Sequence, residues 1–462
     1  MRLKIKWLMV LAGVLPLLIA ALPALADHAT RPHTDNLVAR GHSPHPADFG
    51  VPAAERRVNS DLAFWGNIAF NGNYNGFRVI DLTNKNAPKL LSHADCNGDQ
   101  GDIVVWEDVL VRSWNSPAPE GRTCGGEPVP VGFEGFHVFD VSDLTDPQLV
   151  GQLELSARPE ADAFGCGSHT ATAVPDEANN RLIIYNATSG GPCPFVSVIE
   201  VPLDDPGAIR HLRDEPLTEA GAAHDNGVIL GDANLLVSAA HDHANVFSIG
   251  APRGGSLEDP EFLYTITEPG VCNESGNPLC NGNWHSAALT WDGEVIILGW
   301  EPGGGGEAEC QAEDPDVKKS AFFYDADDGT KLGQWTLPRA QGPDENCTIH
   351  NYNVVPMSGK YVMVGGHYQA GTWVVDFTDP ANAQTVAWSD PPSLGSGPFC
   401  PSTSPPGCQL GGAWSSYYYN QGFIYESDIT EGLNIFRLRD RIIEGAMQLS
   451  HMNPQTQEFT LP

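Results

Sequence analysis

Residues 166–186 read CGSHTATAVPDEANNRLIIYN: a histidine, a short alternating run, a turn of Pro, Asp and Asn, and a second apolar run ending at Asn186. Three later stretches have the same layout. They run from His224 to His241 (HDNGVILGDANLLVSAAH), from His285 to Glu301 (HSAALTWDGEVIILGWE) and from His350 to His367 (HNYNVVPMSGKYVMVGGH). Two short β-rich runs joined by turn residues predict a β-hairpin, so each stretch is read as the first two strands of a repeated unit.

The chain on either side extends the unit. A third strand of alternating apolar residues ends in an acid: GFRVIDL from Gly76, GFHVFDV from Gly135, FVSVIEV from Phe195, AFFYDA from Ala321 and TWVVDF from Thr372. A turn of Asp, Asn and Pro follows, then a fourth strand such as PQLVGQLEL from Pro147. Third strands centred on Phe77, Phe136, Val196, Val246, Phe322, Trp373 and Leu433 mark seven units. Fixed repeats of roughly 40 to 65 residues indicate a propeller or an array. Seven four-stranded units in a chain where Gly and Pro make up 86 of 462 residues predict an all-β, seven-bladed β-propeller. The seventh unit has WSSYYY, FIYES and LNIFRLR but no fourth strand before its polar tail. The run from Asn36 to His42 has the pattern of the missing strand and is expected to close the ring.

The predicted segments are therefore a signal peptide (1–26), an N-terminal arm with the closing strand (27–58), the propeller (59–440) and a C-terminal tail (441–462). Arg2, Lys4 and Lys6 precede an apolar stretch, and Ala24-Leu25-Ala26 supplies a cleavage site, which predicts export near Ala26 into the cell envelope space or beyond. All ten cysteines follow that site, so disulfides are expected. Their spacing suggests Cys96 with Cys124, Cys166 with Cys193, Cys272 with Cys280, Cys400 with Cys408, and Cys310 with Cys347. Removing the leader's three cations leaves 58 acids against 22 bases. A surface this acidic repels nucleic acid and anionic lipid, and no later stretch is apolar enough to span a bilayer. The expected partner is an extracellular small molecule or protein ligand, met by a monomer.

The stretches GFRVIDLTNKNAPKLL from Gly76 and GFHVFDVSDLTDPQLVG from Gly135 resemble the LVIVD-repeat proteins, whose name describes such a third strand. The likeness is closest from Asn59 to Glu154 and continues in register to about Leu438. It implies a β-propeller and no particular reaction.

In a propeller the inner strand begins, and the second strand ends, on one face around the central channel. His169, His224, His285 and His350 are thus expected to ring that mouth, with Asn186, His241, His243, His367 and Glu426 as pocket residues and Asp225 and Glu301 as catalytic candidates. Imidazole and carboxylate suit iron, copper, zinc or manganese. The arrangement is similar in plan to propeller oxygenases and oxidases that hold iron or copper with histidines from several blades, although no motif of those families is present. A purely architectural histidine is the competing explanation, with Asp176, Asp232 and Asp292 in the following turns as its partners. Against it, units 1, 2 and 7 lack the histidine. Other candidates are weaker. Asp325-Ala-Asp-Asp-Gly329 reads as a hairpin turn rather than a calcium loop, Tyr417 to Tyr419 as core, and no Ser nucleophile motif occurs. Two functions remain open: a binding protein with a histidine-rich ligand site, and a metal-dependent, oxidoreductase-like enzyme.

Overall fold

The structure is a computed structural model, and it describes residues 31–45, 58–98, 100–156, 166–188, 193–218, 221–241, 243–268, 282–302, 305, 308–394 and 411–462. Seven sheets each carry four antiparallel blade strands, and in six of them these run in chain order from the axis outward. Blade 3 shows the pattern, with strands Thr170–Asp176, Arg181–Ala187, Phe195–Pro202 and Arg210–Pro216. The seven third strands expected from the sequence are third strands here. No helix among the described residues is long and apolar enough to cross a membrane.

The core is a ring of wedges between blades. Val104, Val111, Phe136 and Val138 of blade 2 pack on Ala171, Ala173, Ile184 and Ile199 of blade 3. Leu235, Val237 and Val246 of blade 4 pack likewise on Leu289, Leu298 and Phe322 of blade 5. Apolar side chains therefore point to both faces of the inner strands, because both faces meet a neighbouring blade. Outer strands face water, and Gln148–Glu154 alternates exposed and half-buried residues. Every third-to-fourth pairing carries a bulge at the same place, between Val79 and Ile80 in blade 1 and Val198 and Ile199 in blade 3. Such bulges raise local twist, which a fan of blades needs. The acid ending the third strand is a turn residue: Asp81 Oδ1 accepts from Thr83 N at 2.7 Å, and Asp140 Oδ1 from Ser142 N at 2.8 Å.

Closure follows the expected route. Leu37–Pro44 pairs antiparallel with Gly432–Leu438 as the fourth strand of blade 7, with the same bulge between Ala39 and Gly41. A buried ion pair fixes this seam. Arg31 Nη1 lies 3.3 Å from Glu426 Oε1, and Glu426 also accepts from Asn434 Nδ2 at 2.8 Å and Thr372 Oγ1 at 2.6 Å. On the other side, Arg78 Nη1 donates to the carbonyls of Ser43 and Pro44, 3.0 Å each.

The C-terminal tail, to which the sequence reading gave no role, crosses the far end of the channel. His451–Met452 adds a strand to blade 1, and Thr456–Gln457 adds a parallel strand to blade 4. Between and beside them, Asn453 bonds Val105 of blade 2, Thr456 Oγ1 donates to Ala173 O of blade 3, and Gln457 Nε2 donates to Leu289 O of blade 5. Met447 N donates to Pro356 O of blade 6, and Asn420 of blade 7 bonds Leu449. All seven blades are tied to this one segment.

Cys96–Cys124, Cys166–Cys193 and Cys310–Cys347 are disulfide-bonded as expected. The signal peptide and the pairs Cys272–Cys280 and Cys400–Cys408 lie outside the described residues.

Because both members of the Arg31–Glu426 pair are buried, Arg31→Met strands a carboxylate at the seam. The expected cost is about 3–5 kcal/mol, read as a lowered urea midpoint with an unchanged m-value.

A histidine arc on the propeller axis

The site is assembled from one position per blade, at the start of the inner strand. Blades 3 to 6 place His169, His224, His285 and His350 there, and blade 7 places Trp414. Neighbouring rings touch in sequence: His169 to His224 at 4.4 Å, His224 to His285 at 4.1 Å, His285 to His350 at 3.9 Å and His350 to Trp414 at 4.9 Å between centroids. All four histidines are buried. Backbone bulges in the inner strands of blades 4, 5 and 7 fall at this position and re-aim the side chains toward the axis.

Hydrogen bonds fix which nitrogen each ring presents. His350 Nδ1 faces the carbonyl of Trp414, which can only accept, so Nδ1 carries the proton. Ser286 Oγ donates to His350 O and lies 2.6 Å from His285 Nδ1, so it accepts from that nitrogen. His169 Nδ1 lies 3.1 Å from Asn115 Oδ1 and its Nε2 lies 3.1 Å from Gln100 Nε2, which gives the same tautomer. Three of four rings thus keep an unprotonated Nε2. The histidines of metal centres are held in this way, with the second nitrogen donating to a protein acceptor. His224 Nδ1 is buried without a hydrogen-bond partner.

Glu301, at the end of the second strand of blade 5, completes the group. Its carboxylate oxygens lie 3.6 Å from His224 Nε2, 3.9 Å from His285 Nε2 and 4.0 Å from His350 Nε2. One ligand atom each from His224, His285 and Glu301 falls within 4.8 Å of the other two. Tyr368 OH donates to Glu301 Oε1 at 3.2 Å. The one comparable grouping among the described residues is Cys96, Cys124 and His137, whose sulfurs are joined to each other.

Burial, with repulsion from neighbouring imidazoles, drives the histidine pKa values down: to about 3 for His169, and well below the ordinary value for His224, His285 and His350. Burial thus favours the neutral form of all four rings. One residue further along each inner strand is a second polar layer: Asp61, Asp102, Thr170, Asp225, Ser286, Asn351 and Ser415. Asp61 Oδ2 accepts from Tyr417 OH at 2.8 Å and from Gln455 of the tail at 2.9 Å. Burial first, then mutual repulsion, raises the pKa of Asp102 well above the usual carboxylate range, and burial raises Asp61 and Asp225 as well. The axis is therefore layered: imidazoles and Glu301 at one mouth, carboxylates inside, the tail at the other end.

The remaining expected residues divide. His241 sits exposed on the rim, and His243 is half-buried. His367 is turned inward against Trp335, and its Nδ1 accepts from the His350 backbone at 3.3 Å, so it props the arc from behind. Asn186 Nδ2 donates to Gly167 O at 2.9 Å. Glu426 is committed to Arg31 at the seam rather than to the histidines, because closure consumes its charge. Asp225 belongs to the carboxylate layer, where its Oδ1 accepts from Asn226 N. The turn aspartates do not anchor the histidines: Asp176 bonds Arg181 and Asn179, and Asp292 bonds Thr290, at the far end of each hairpin. Sequence reasoning missed Tyr368, Trp414, Asn115, Asp61 and Asp102. Aligning the residue after each arc position across all seven units would have exposed the carboxylate layer.

No family model matches this chain, and no curated protein sequence matches it. Among solved structures it is similar to the periplasmic gluconolactonase PpgL of Pseudomonas aeruginosa, at 13% identity and TM-score 0.48 over 86% of this chain and 96% of that one. It is also similar to BamB of Moraxella catarrhalis, at 9% identity and TM-score 0.44 over 82% and 96%. The N-terminal domain of Nup159 gives 11% identity and TM-score 0.45 over 87% and 97%. Identities this low concern fold outline only, and the chemistry of the arc rests on its own residues.

Because folded His169 has its pKa near 3, the unfolded chain takes up a proton there below pH 6.5 that the folded chain refuses. This contribution therefore costs stability as pH falls from 6.5 toward 3. In metal-free protein, His169→Asn removes it. The stability difference should move in the variant's favour by up to about 1.4 kcal/mol per pH unit, measured by urea denaturation at pH 7.5, 6.0 and 5.0.

Proposed function

We propose that this protein is an exported metalloenzyme that holds one transition-metal ion on the propeller axis and acts through it on a small extracellular molecule. The observation that supports this reading is the convergence of Nε2 atoms from His224, His285 and His350 on the Glu301 carboxylate, with the Nδ1 atoms of His285 and His350 tied to protein acceptors. Neutral imidazoles packed at about 4 Å repel as protons are added and attract a cation that shares their lone pairs. A pure recognition surface would instead favour accessible rings, and these are buried.

Four imidazoles and one carboxylate are borderline N and O donors, suited to iron, copper, manganese or zinc. His224, His285 and Glu301 would form the innermost set, with His350 and His169 completing it. A metal so held supplies redox or Lewis-acid chemistry, and the chain's residues bind, orient and manage protons around it. Glu301 is placed to ligate or to accept a proton; Asn115, Ser286 and the Trp414 carbonyl hold the imidazole planes. Export agrees with three formed disulfides, which persist in oxidising compartments.

Elemental analysis of the purified protein, before and after reconstitution, tests the reading. Roughly one equivalent of transition metal is expected, and less than about a tenth after reconstitution would remove the proposal. His285→Ala and Glu301→Gln should each weaken binding by at least about tenfold, while the thermal midpoint of the metal-free protein falls little.

A further inference from the structure

Tyr368 is the residue at this site that the repeat pattern does not account for. It follows His367 in the turn leading to the third strand of blade 6, and its φ is +49°, a left-handed conformation that strains a side chain with a Cβ. The strain is held by a closed set of backbone bonds. Tyr368 N donates to Ala413 O and Ala413 N to Tyr368 O, both at 2.8 Å, and Gly371 N donates to Tyr368 O at 2.9 Å. The backbone is thereby pinned to the inner strand of blade 7 while the side chain turns back toward blade 5.

The ring and hydroxyl meet the arc at two places. The ring lies 4.3 Å from that of His350, and the hydroxyl donates to Glu301 Oε1 at 3.2 Å. Space has been cleared for this meeting: a Cβ built on Gly305 would come within 2.6 Å of both the Tyr368 hydroxyl and Glu301 Oε1. Glu301 Oε1 and the phenol thus share the space beside Gly305, and Oε2 is left facing His224 and His285.

Resting on the metal-centre reading above, we propose that Tyr368 is the positioning residue of the centre. Its hydroxyl occupies Glu301 Oε1, so that the carboxylate meets the metal through Oε2 alone. The carboxylate is thus made a one-oxygen ligand, which leaves a coordination position for a small-molecule substrate.

Cobalt(II) titration with visible absorption tests this in wild type, Tyr368→Phe, Glu301→Gln and the double variant. Tyr368→Phe should weaken cobalt binding roughly 10- to 100-fold, because the ligand carboxylate loses the hydrogen bond that orients it, and shift the d–d bands, because Glu301 becomes free to bind through both oxygens. The double variant should bind within about twofold of Glu301→Gln alone, since Tyr368 acts only through that carboxylate. A Tyr368→Phe protein identical to wild type, or effects that multiply in the double variant, would overturn the proposal. A wild type that takes up no cobalt overturns the metal-centre reading instead, a result recognisable before any variant is made. Should Tyr368→Phe not fold, zinc loading of wild type provides the second measurement. It should perturb a tyrosine ultraviolet band in wild type but not in Glu301→Gln. The absence of that perturbation in wild type carrying zinc overturns the proposal.

Discussion

Everything in this molecule depends on closing the ring. Each blade buries apolar side chains on both faces, so an open ring would leave the wedge between blades 7 and 1 exposed to water, and all seven wedges contribute to one barrier against opening. The closing strand is borrowed from the N-terminal arm, so the ladder between Leu37–Pro44 and Gly432–Leu438 joins residues at opposite ends of the chain. A strand ladder alone can slip. Arg31 on Glu426 and Arg78 on the Ser43 and Pro44 carbonyls fix its register with buried charges.

Closure also brings distant residues to one point. Histidines 55 to 65 positions apart in the chain meet ring against ring, because each lies at the start of the innermost strand of its blade. The axis is a low-dielectric shaft, where unpaired polar groups are costly and electrostatic interactions strong. Imidazoles at one mouth stay neutral and the carboxylates beneath resist ionisation, for the same reason. The tail closes the opposite end, and Gln455 reaches in far enough to bond Asp61. The two ends of the shaft are thus chemically different even though the blades share one plan.

That difference gives the arc its interest as a site. Repeated packing residues recur all round a ring, whereas the histidines occupy four consecutive blades and give way to Trp414, Ser60 and Gly101 in the others. Their outer nitrogens are served by unlike partners: an amide, a hydroxyl and a carbonyl. The inner nitrogens of His224, His285 and His350 share a single carboxylate, while that of His169 meets Gln100. Convergence of one face of each ring, with divergence of the other, is the arrangement expected when the inner face has a common ligand.

How much of this the sequence carried depends on the range of the interaction. Strand period, turn residues and the spacing of third strands are local, so the blade count, the closing strand, the three disulfides and the placement of four histidines at one mouth were legible from residues alone. The acid of GFRVIDL and GFHVFDV was legible as a motif, and the structure shows it to be a turn cap. What no local pattern holds is the pairing of side chains from different blades. Glu426 looked like a pocket residue and is a seam residue, because Arg31 lies 395 positions away in the chain. His367 looked like part of the mouth and stands behind it, because the turn that follows sends Tyr368 forward in its place. The polar tail carried no strand signal, since its strands exist only against the edges that blades 1 and 4 present once the ring is shut. The sequence alone determined a ring of seven blades with histidines on one face. Only the tertiary structure decided which nitrogens meet, since that follows from closure and not from any stretch of chain.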